Sequence, residues 1–299
     1  MRLLIFGYGF SGRALARRMA GEAWEVFATH RDDAGAGRVR ADGYTPVDLA
    51  DRTALTEALA GTRALLVTAP PGPQGCPGLN TLVGPLAAAG AFPDWTGYLS
   101  TTGVYGDRRG GWVTEASPLA AQSVEGARRV GAERDWLQVG RGMGLTVTIF
   151  RLPGIYGPGR SAFDRLREGQ ARRIVAPGQV FSRIHVDDLA AGLAASIARP
   201  RPAGIYNLCD DEPAPNSEAV AYAAGLLGMA APPEVALADA NLRPAAMRFY
   251  AESKRVSNAR AKAELGWRPA YPTYREGLRA VLAAETSCSP VGGAVSEAD

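Results

Sequence analysis

Three glycines, Gly7, Gly9 and Gly12, stand in the run Gly-Tyr-Gly-Phe-Ser-Gly, directly after the apolar stretch Leu3 to Phe6. The segment that follows places Leu15 and Met19 on one helical face. Between a strand and a helix, this spacing has a definite use. The first glycine permits the tight turn, the second lets the backbone approach a pyrophosphate, and the third lets helix and strand pack closely. Phe10 and Ser11 complete the turn, and a helix N-terminus behind it favours an anion. A triphosphate-binding loop needs Lys and then Ser or Thr where this chain has Arg13 and Ala14, so a dinucleotide is the expected ligand.

The end of the second strand bears on which dinucleotide. An acid there would bind the ribose hydroxyls of NAD, whereas basic groups would accommodate the extra phosphate of NADP. Here the strand runs into His30 and Arg31, and Asp32 and Asp33 come only after them. NADP is the expected cofactor, with NAD the alternative.

A crevice of this kind needs a sheet to hold it. Strand-like runs recur at Leu3 to Phe6, Glu25 to Thr29, Ala64 to Thr68, Gly97 to Ser100 and Thr146 to Phe150. Helix-length stretches lie between them, with Leu55 and Leu59, Leu82 and Leu86, and Ala132 and Trp136 paired at helical spacing. Alternating strand and helix predicts an α/β fold with a doubly wound, parallel sheet of Rossmann type. From about Pro153 the pattern turns irregular and proline-rich, which predicts a smaller C-terminal substrate-binding lobe. The expected division is 1–160 for dinucleotide binding, with 181–208 returning to it. Residues 161–180 and 209–286 form the lobe, and 287–299 a flexible tail.

Composition narrows the partner. The chain has 299 residues, 46% hydrophobic and 21% charged, with a formal charge of +3, which excludes disordered and fibrous classes. Its basic residues are scattered, so no nucleic-acid stripe stands out. Two histidines, and three cysteines in no Cys-x-x-Cys pair, argue against a metal site or a disulfide framework and suit a reducing cytoplasm. The longest nearly apolar stretch, Ala219 to Ala231, falls short of the ~18 residues that span a bilayer. A small-molecule substrate and a cytoplasmic location are expected, with no nucleic acid and no membrane; a homodimer stays open.

Taken with several later segments, the glycine turn resembles the extended short-chain dehydrogenase/reductase superfamily, the NAD-dependent epimerase/dehydratase group. The shared segments are Val47-Asp48-Leu49-Ala50-Asp51, Ser100 to Gly106, Arg151 to Gly159, His185 to Ala190, Tyr206-Asn207-Leu208, and Asn258 to Leu278 with Glu264-Leu265-Gly266-Trp267. The resemblance covers nearly everything up to Leu278. It implies cofactor contacts from Asp48 and Leu49 after the third strand, from Thr68, Ala69 and Pro70 after the fourth, and from the Pro153 loop beside the nicotinamide.

The catalytic signature departs from the family's. Relatives carry Tyr-x-x-x-Lys on the helix after the fifth strand; here Glu125 stands at the tyrosine position and Arg129 at the lysine position, as in an atypical branch. At neutral pH a tyrosine holds a proton to give, whereas a glutamate has normally lost it, so Glu125 suits a base better than an acid. Glu125 and Arg129 sit at i and i+4, which fits a simple helix ion pair or a pair facing the cofactor, with Arg129 on ribose or phosphate. Thr101 fits a donor to a substrate oxygen or a strand-end cap. Tyr105 and Tyr156 are the phenols expected nearest the nicotinamide, as substitute proton donors or as packing groups. His185 is expected to serve structure. Phe181 stands where sugar-nucleotide epimerases hold a diphosphate with arginine, and Arg183 is near enough to offer a shifted contact.

These readings converge on an NADP-dependent atypical oxidoreductase or epimerase acting on a small carbonyl or alcohol compound. A catalytically silent NAD(P)-binding sensor, and a nucleotide-sugar epimerase or dehydratase with displaced catalytic groups, are the alternatives.

Overall fold

A computed structural model of the chain describes residues 1–20 and 23–288. The first half alternates strictly: β1 (Arg2–Phe6), α1 (Phe10–Ala20), β2 (Glu25–His30), α2 (Asp33–Ala41), β3 (Thr45–Asp48), α3 (Arg52–Ala60), β4 (Ala64–Val67), α4 (Pro77–Ala89) and β5 (Trp95–Thr101). A 3-10 turn at Thr102–Tyr105 and the short β6 (Trp112–Val113) lead to the long α5 (Val124–Met143) and then to β7 (Val147–Leu152). Next come β8 (Gly154–Tyr156), α6 (Ala162–Arg167), β9 (Arg173–Val175), β10 (Arg183–His185), α7 (Val186–Ala198) and β11 (Gly204–Asn207). The chain closes with α8 (Asn216–Leu226), β12 (Glu234–Ala236), α9 (Pro244–Tyr250), β13 (Arg255–Val256), α10 (Ala259–Leu265) and α11 (Tyr274–Cys288).

Seven strands form one sheet in the order β11-β7-β5-β4-β1-β2-β3, and every pairing in it is parallel. The expected doubly wound sheet is therefore present, with a smaller C-terminal region beside it. Alternation along β1 builds both layers. Leu3 and Ile5 join Leu15, Met19, Leu189 and Leu193 on one face, while Leu4 and Phe6 join Leu55, Leu82, Trp136 and Ile149 on the other. A third cluster, with Phe163, Leu166, Ala223, Tyr274 and Leu278, holds the C-terminal region together.

Two sheet strands escape the hydrophobic pattern. β3 reads Thr-Pro-Val-Asp and buries only Val47, and β11 is four residues long; both lie at sheet edges, where a strand needs no continuous apolar run. The polar tail expected from Ser287 also starts too early, because α11 runs through Cys288. Its remainder, 289–299, lies outside the described residues. No helix among the described residues is long and apolar enough to cross a membrane, and no group of three or more His, Cys, Asp or Glu among them could hold a metal ion.

Candidate functional site

Strand order reverses between β1 and β4, so the chain leaves these neighbours in opposite directions and opens a crevice at their carboxyl ends. Gly7 lines it with φ +97°, and a Cβ there would fall 2.5 Å from Thr68 Oγ1. The Thr68 hydroxyl donates to the Gly7 carbonyl at 2.6 Å, and the Gly7 N–H donates to Thr29 Oγ1 at 3.2 Å. A Cβ on Gly12 would press on Ile5 Cγ2 at 2.9 Å, which shows how closely α1 lies on β1. A Cβ on Gly9 would meet nothing within 4 Å. Packing thus demands the outer two glycines, while the middle one faces open space before the first turn of α1. This cradle fits a pyrophosphate, which a side chain at Gly9 would displace.

Neighbouring groups fix the turn. Asp42 accepts from Arg13 Nε and Nη2 at 2.8 and 2.9 Å and from the Tyr8 hydroxyl at 2.8 Å. The bonds from Arg13 hold the Asp42 carboxyl below its usual range. Arg160 lies over the Phe10 ring, 5.5 Å from guanidinium carbon to centroid, a cation at the glycine turn that sequence reasoning missed. The Gly-Pro-Gly-Arg run is the signal that could have found it.

The remaining expected cofactor residues follow along the same edge. His30 ends β2 opposite Asp48 in β3, and the Leu49 N–H donates to the His30 carbonyl at 3.1 Å. Arg31 is exposed. Asp32 caps α2 by accepting from the Gly35 N–H at 2.7 Å, and Asp48 accepts from the Ala50 N–H at 2.9 Å. Thr68, Ala69 and Pro70 leave β4, and Pro153 follows Leu152, which pairs in register with Thr101.

At Thr101 the structure forms a corner between β5 and α5. Thr101 caps the 3-10 turn by accepting from the Gly103 N–H at 3.1 Å, while its hydroxyl keeps a proton to donate. A Cβ on Gly126 would lie 3.0 Å from the Gly103 carbonyl oxygen, so the first turn of α5 closes directly onto the Thr101 turn. Glu125 sits exposed on that first turn. Arg129, one turn on, donates to the Leu99 carbonyl in β5 and lies 5.7 Å from the Tyr98 ring centroid. Thr101, Glu125 and Arg129 therefore share one corner of the crevice.

The two phenols do not join them. Tyr105 is fully buried; its hydroxyl donates to Asn207 Oδ1 at 2.7 Å and accepts from Arg151 Nη1 at 3.1 Å. The Tyr156 hydroxyl is buried against Gly277 of α11, and its ring meets His185 edge-on at 5.4 Å. Both hydroxyls are enclosed by protein, so neither phenol is placed to hand a proton to a substrate, and burial raises both pKa values, that of Tyr156 the further with Asp210 and Asp188 adding to it. His185 serves structure: it is buried, its Nδ1 caps α7 by accepting from the Asp187 N–H at 3.2 Å, and burial lowers its pKa. The spacing Tyr-x-x-x-Lys does occur once, at Tyr250 and Lys254, a point that reading only the helix after β5 overlooks. Helix α9 ends at Tyr250, so these two do not share a helical face.

Sequence reasoning also missed what lies beneath the corner. Glu133 and Arg151, both nearly fully buried, form an ion pair at 2.8 Å, and Ser100 donates to Glu133 at 2.5 Å. Arg151 goes on to Tyr105, which bonds Asn207, and the Asn207 N–H donates to Glu115 at 2.8 Å. This network ties α5, β5, β7 and β11 together.

No model of a known protein family matches the chain. Protein YeeZ of Escherichia coli is 30% identical over 247 residues, 77% of this chain and 85% of that protein. A 3-diazoavenalumate denitrifying reductase from a Streptomyces species is 33% identical over 147 residues, covering 45% of this chain and 46% of the reductase. Among solved structures, a functionally unknown conserved protein from Silicibacter pomeroyi superposes with a TM-score of 0.87 at 46% identity, over 95% of this chain and 98% of that one. A dTDP-glucose 4,6-dehydratase from Bacillus anthracis, solved with NAD, gives 0.78 at 19% identity over 96% and 97%, a likeness of fold.

Proposed function

Because the chain belongs to the family of Protein YeeZ and has the fold of the epimerase/dehydratase structures, we propose that it is an NADP-dependent oxidoreductase or epimerase of a small carbonyl or alcohol compound. The observation that carries this reading is the contrast among the glycines: Gly7 and Gly12 are crowded, while Gly9 opens onto free space at the switch point. The Streptomyces relative is named a reductase, and the Bacillus anthracis dehydratase was solved with NAD. The preference for NADP rests on exposed Arg31 after His30, and on Asp32 being spent as a helix cap instead of standing free for ribose hydroxyls.

In this reading Gly7 to Gly12 would hold the pyrophosphate, Asp48 and Leu49 the adenine end, Arg31 the 2′-phosphate, and Thr68 to Pro70 with Pro153 the nicotinamide half. Bound there, the dinucleotide accepts or supplies a hydride. The chain's own residues handle the rest: the Thr101 hydroxyl donates to the substrate oxygen and fixes its position, and the Glu125 carboxylate takes the proton an alcohol gives up. Glutamate in the tyrosine's place favours that direction, and ordinary ketone reduction is expected to be slow. The chain acts in the cytoplasm on a small molecule, bound between the Thr101 corner, the Pro153 to Gly159 loop and the C-terminal lobe.

The test is a metabolite screen with both NADP and NADPH, following the absorbance of the reduced nicotinamide, with Thr101→Ala beside the parent. A turnover that falls in Thr101→Ala while cofactor affinity holds supports the reading. One observation favours a sensor that binds the cofactor and does no chemistry: Arg129 is engaged with the Leu99 carbonyl instead of standing free for a ribose. Oxidation or reduction of any substrate that Glu125→Gln abolishes would exclude that second reading.

A further inference from the structure

Three aromatic rings, from Phe181, Phe249 and Tyr250, meet in the C-terminal region. Phe181 and Phe249 stack nearly parallel, with centroids 4.7 Å apart and planes 8° apart, and Tyr250 meets Phe181 edge-on at 5.4 Å. The inner ring, Phe181, is 8% exposed; the outer ring, Phe249, is 53% exposed. Phe249 therefore contributes one face to the stack and keeps much of its remaining surface open.

Backbone contacts link this stack to the corner. The 3-10 turn after Thr101 runs into Asp107, which accepts from the Ser253 N–H at 2.8 Å, and the Arg108 and Gly110 N–H groups donate to the Ser253 carbonyl at 3.0 and 2.9 Å. Ser253, three residues after Tyr250, donates its hydroxyl to the Gly178 carbonyl and accepts from the Val180 N–H, each at 3.2 Å. Val180 adjoins Phe181. One serine thus joins the loop leaving the Thr101 turn to both segments that carry the rings.

Neither position that the sequence singles out for a diphosphate, Phe181 or Arg183, presents a free guanidinium there. Phe181 stands four residues before His185, where a diphosphate-binding arginine would stand. Arg183 offers no shifted substitute, because its guanidinium donates to the Phe181 and Ala214 carbonyls at 2.9 and 3.0 Å and to Asn216 Oδ1 at 3.4 Å. An arginine whose two terminal nitrogens are both engaged by the protein no longer presents a free fork to phosphate oxygens.

We propose that Phe249, backed by Phe181 and Tyr250, is the substrate platform, and that the molecule offered to Thr101 is a planar aromatic alcohol or carbonyl without a phosphate, its ring laid on Phe249. This rests on the oxidoreductase reading for what happens at Thr101, but the ring preference can be measured without it. A flat π-face stacks on phenylalanine better than a puckered saturated ring of the same size, and such a pair adds about fivefold beyond area burial.

The test compares 2-naphthalenemethanol with its fully saturated decahydro counterpart, by calorimetry on the protein with and without NADP, and adds UDP-glucose. The platform predicts tighter binding of the aromatic compound, loss of about fivefold of that difference in Phe249→Ala, its retention in Phe249→Trp, and no saturable binding of UDP-glucose. Equal binding of the two alcohols, or a preference untouched by Phe249→Ala, overturns it, as does saturable UDP-glucose binding. Phe249 is half exposed, and thermal unfolding of each variant confirms that its fold is kept. Failure of NADP to bind would count against the oxidoreductase reading alone, since the preference is also read on the cofactor-free protein.

Discussion

At the β1–β4 crevice the chemistry is carried by backbone and by missing side chains, whereas at the β5–α5 corner it depends on which side chains occupy Thr101, Glu125 and Arg129. In the crevice each glycine answers a geometric demand: Gly7 a positive φ, Gly12 contact with Ile5, and Gly9 an open approach. At the corner the scaffold is just as firmly built, through Ser100, Glu133, Arg151, Tyr105 and Asn207, but what it presents is set by the identity of three side chains. A backbone cradle tolerates little change without losing its ligand, while a well-braced corner can exchange its exposed groups and keep its shape.

The comparison breaks most readily at the brace. Arg151→Met strands the buried Glu133 charge and is expected to cost about 3–5 kcal/mol of stability, read by urea unfolding. A loss below about 1 kcal/mol would mean that the corner does not depend on this pair.

Next in size is the cradle. Gly9→Val is expected to weaken dinucleotide binding about a thousandfold, the worth of two hydrogen bonds to charged oxygens at roughly 2 kcal/mol each, with the unfolding midpoint unchanged. Gly7→Val should instead lower the midpoint, since φ +97° and the 2.5 Å approach to Thr68 Oγ1 strain the fold itself. If the two variants exchange these outcomes, the assignment of the glycines is wrong.

At the exposed corner, Glu125→Gln is expected to lower turnover about a hundredfold while leaving the cofactor Kd within about twofold. The loss of a base should also remove the acidic limb of the pH profile. Full activity in both Glu125→Gln and Glu125→Tyr would reduce Glu125 to a surface group.

The smallest effect sets two buried carboxylates against each other. Glu133 is paired; Asp210 is equally buried, but neither of its oxygens has a hydrogen-bond partner, and burial pushes its pKa well above the usual range. A raised folded-state pKa means that folding takes up a proton as pH rises past the unfolded value of ~3.8, so the cost of keeping Asp210 grows with pH. Asp210→Asn removes that cost and should stabilise the protein more at pH 8 than at pH 5. Equal gains at the two pH values would contradict the raised pKa.

What the sequence disclosed follows the same divide. The sheet, its two layers and the glycine turn were legible because burial imposes periodicity: Leu15 with Met19, Leu82 with Leu86, and Trp136 after Ala132 are all buried as spaced. β3 was not, because it buries only Val47, and β11 was not, because Gly-Ile-Tyr-Asn is too short and mixed to show a period. Tyr105 and Tyr156 looked catalytic because a phenol's residue type says nothing about where its hydroxyl points. Arg160, Ser253 and the Phe181–Phe249 stack escaped notice because they act between segments far apart in the chain, and only the fold brings them together.

The most direct test of the central claim is titration calorimetry of the purified protein with NADP and with NAD, repeated on Arg31→Ala. We expect saturable binding of both, tighter for NADP, with the difference lost in Arg31→Ala and both weakened about a thousandfold in Gly9→Val. No binding of either dinucleotide, or a preference for NAD that survives Arg31→Ala, would contradict the account.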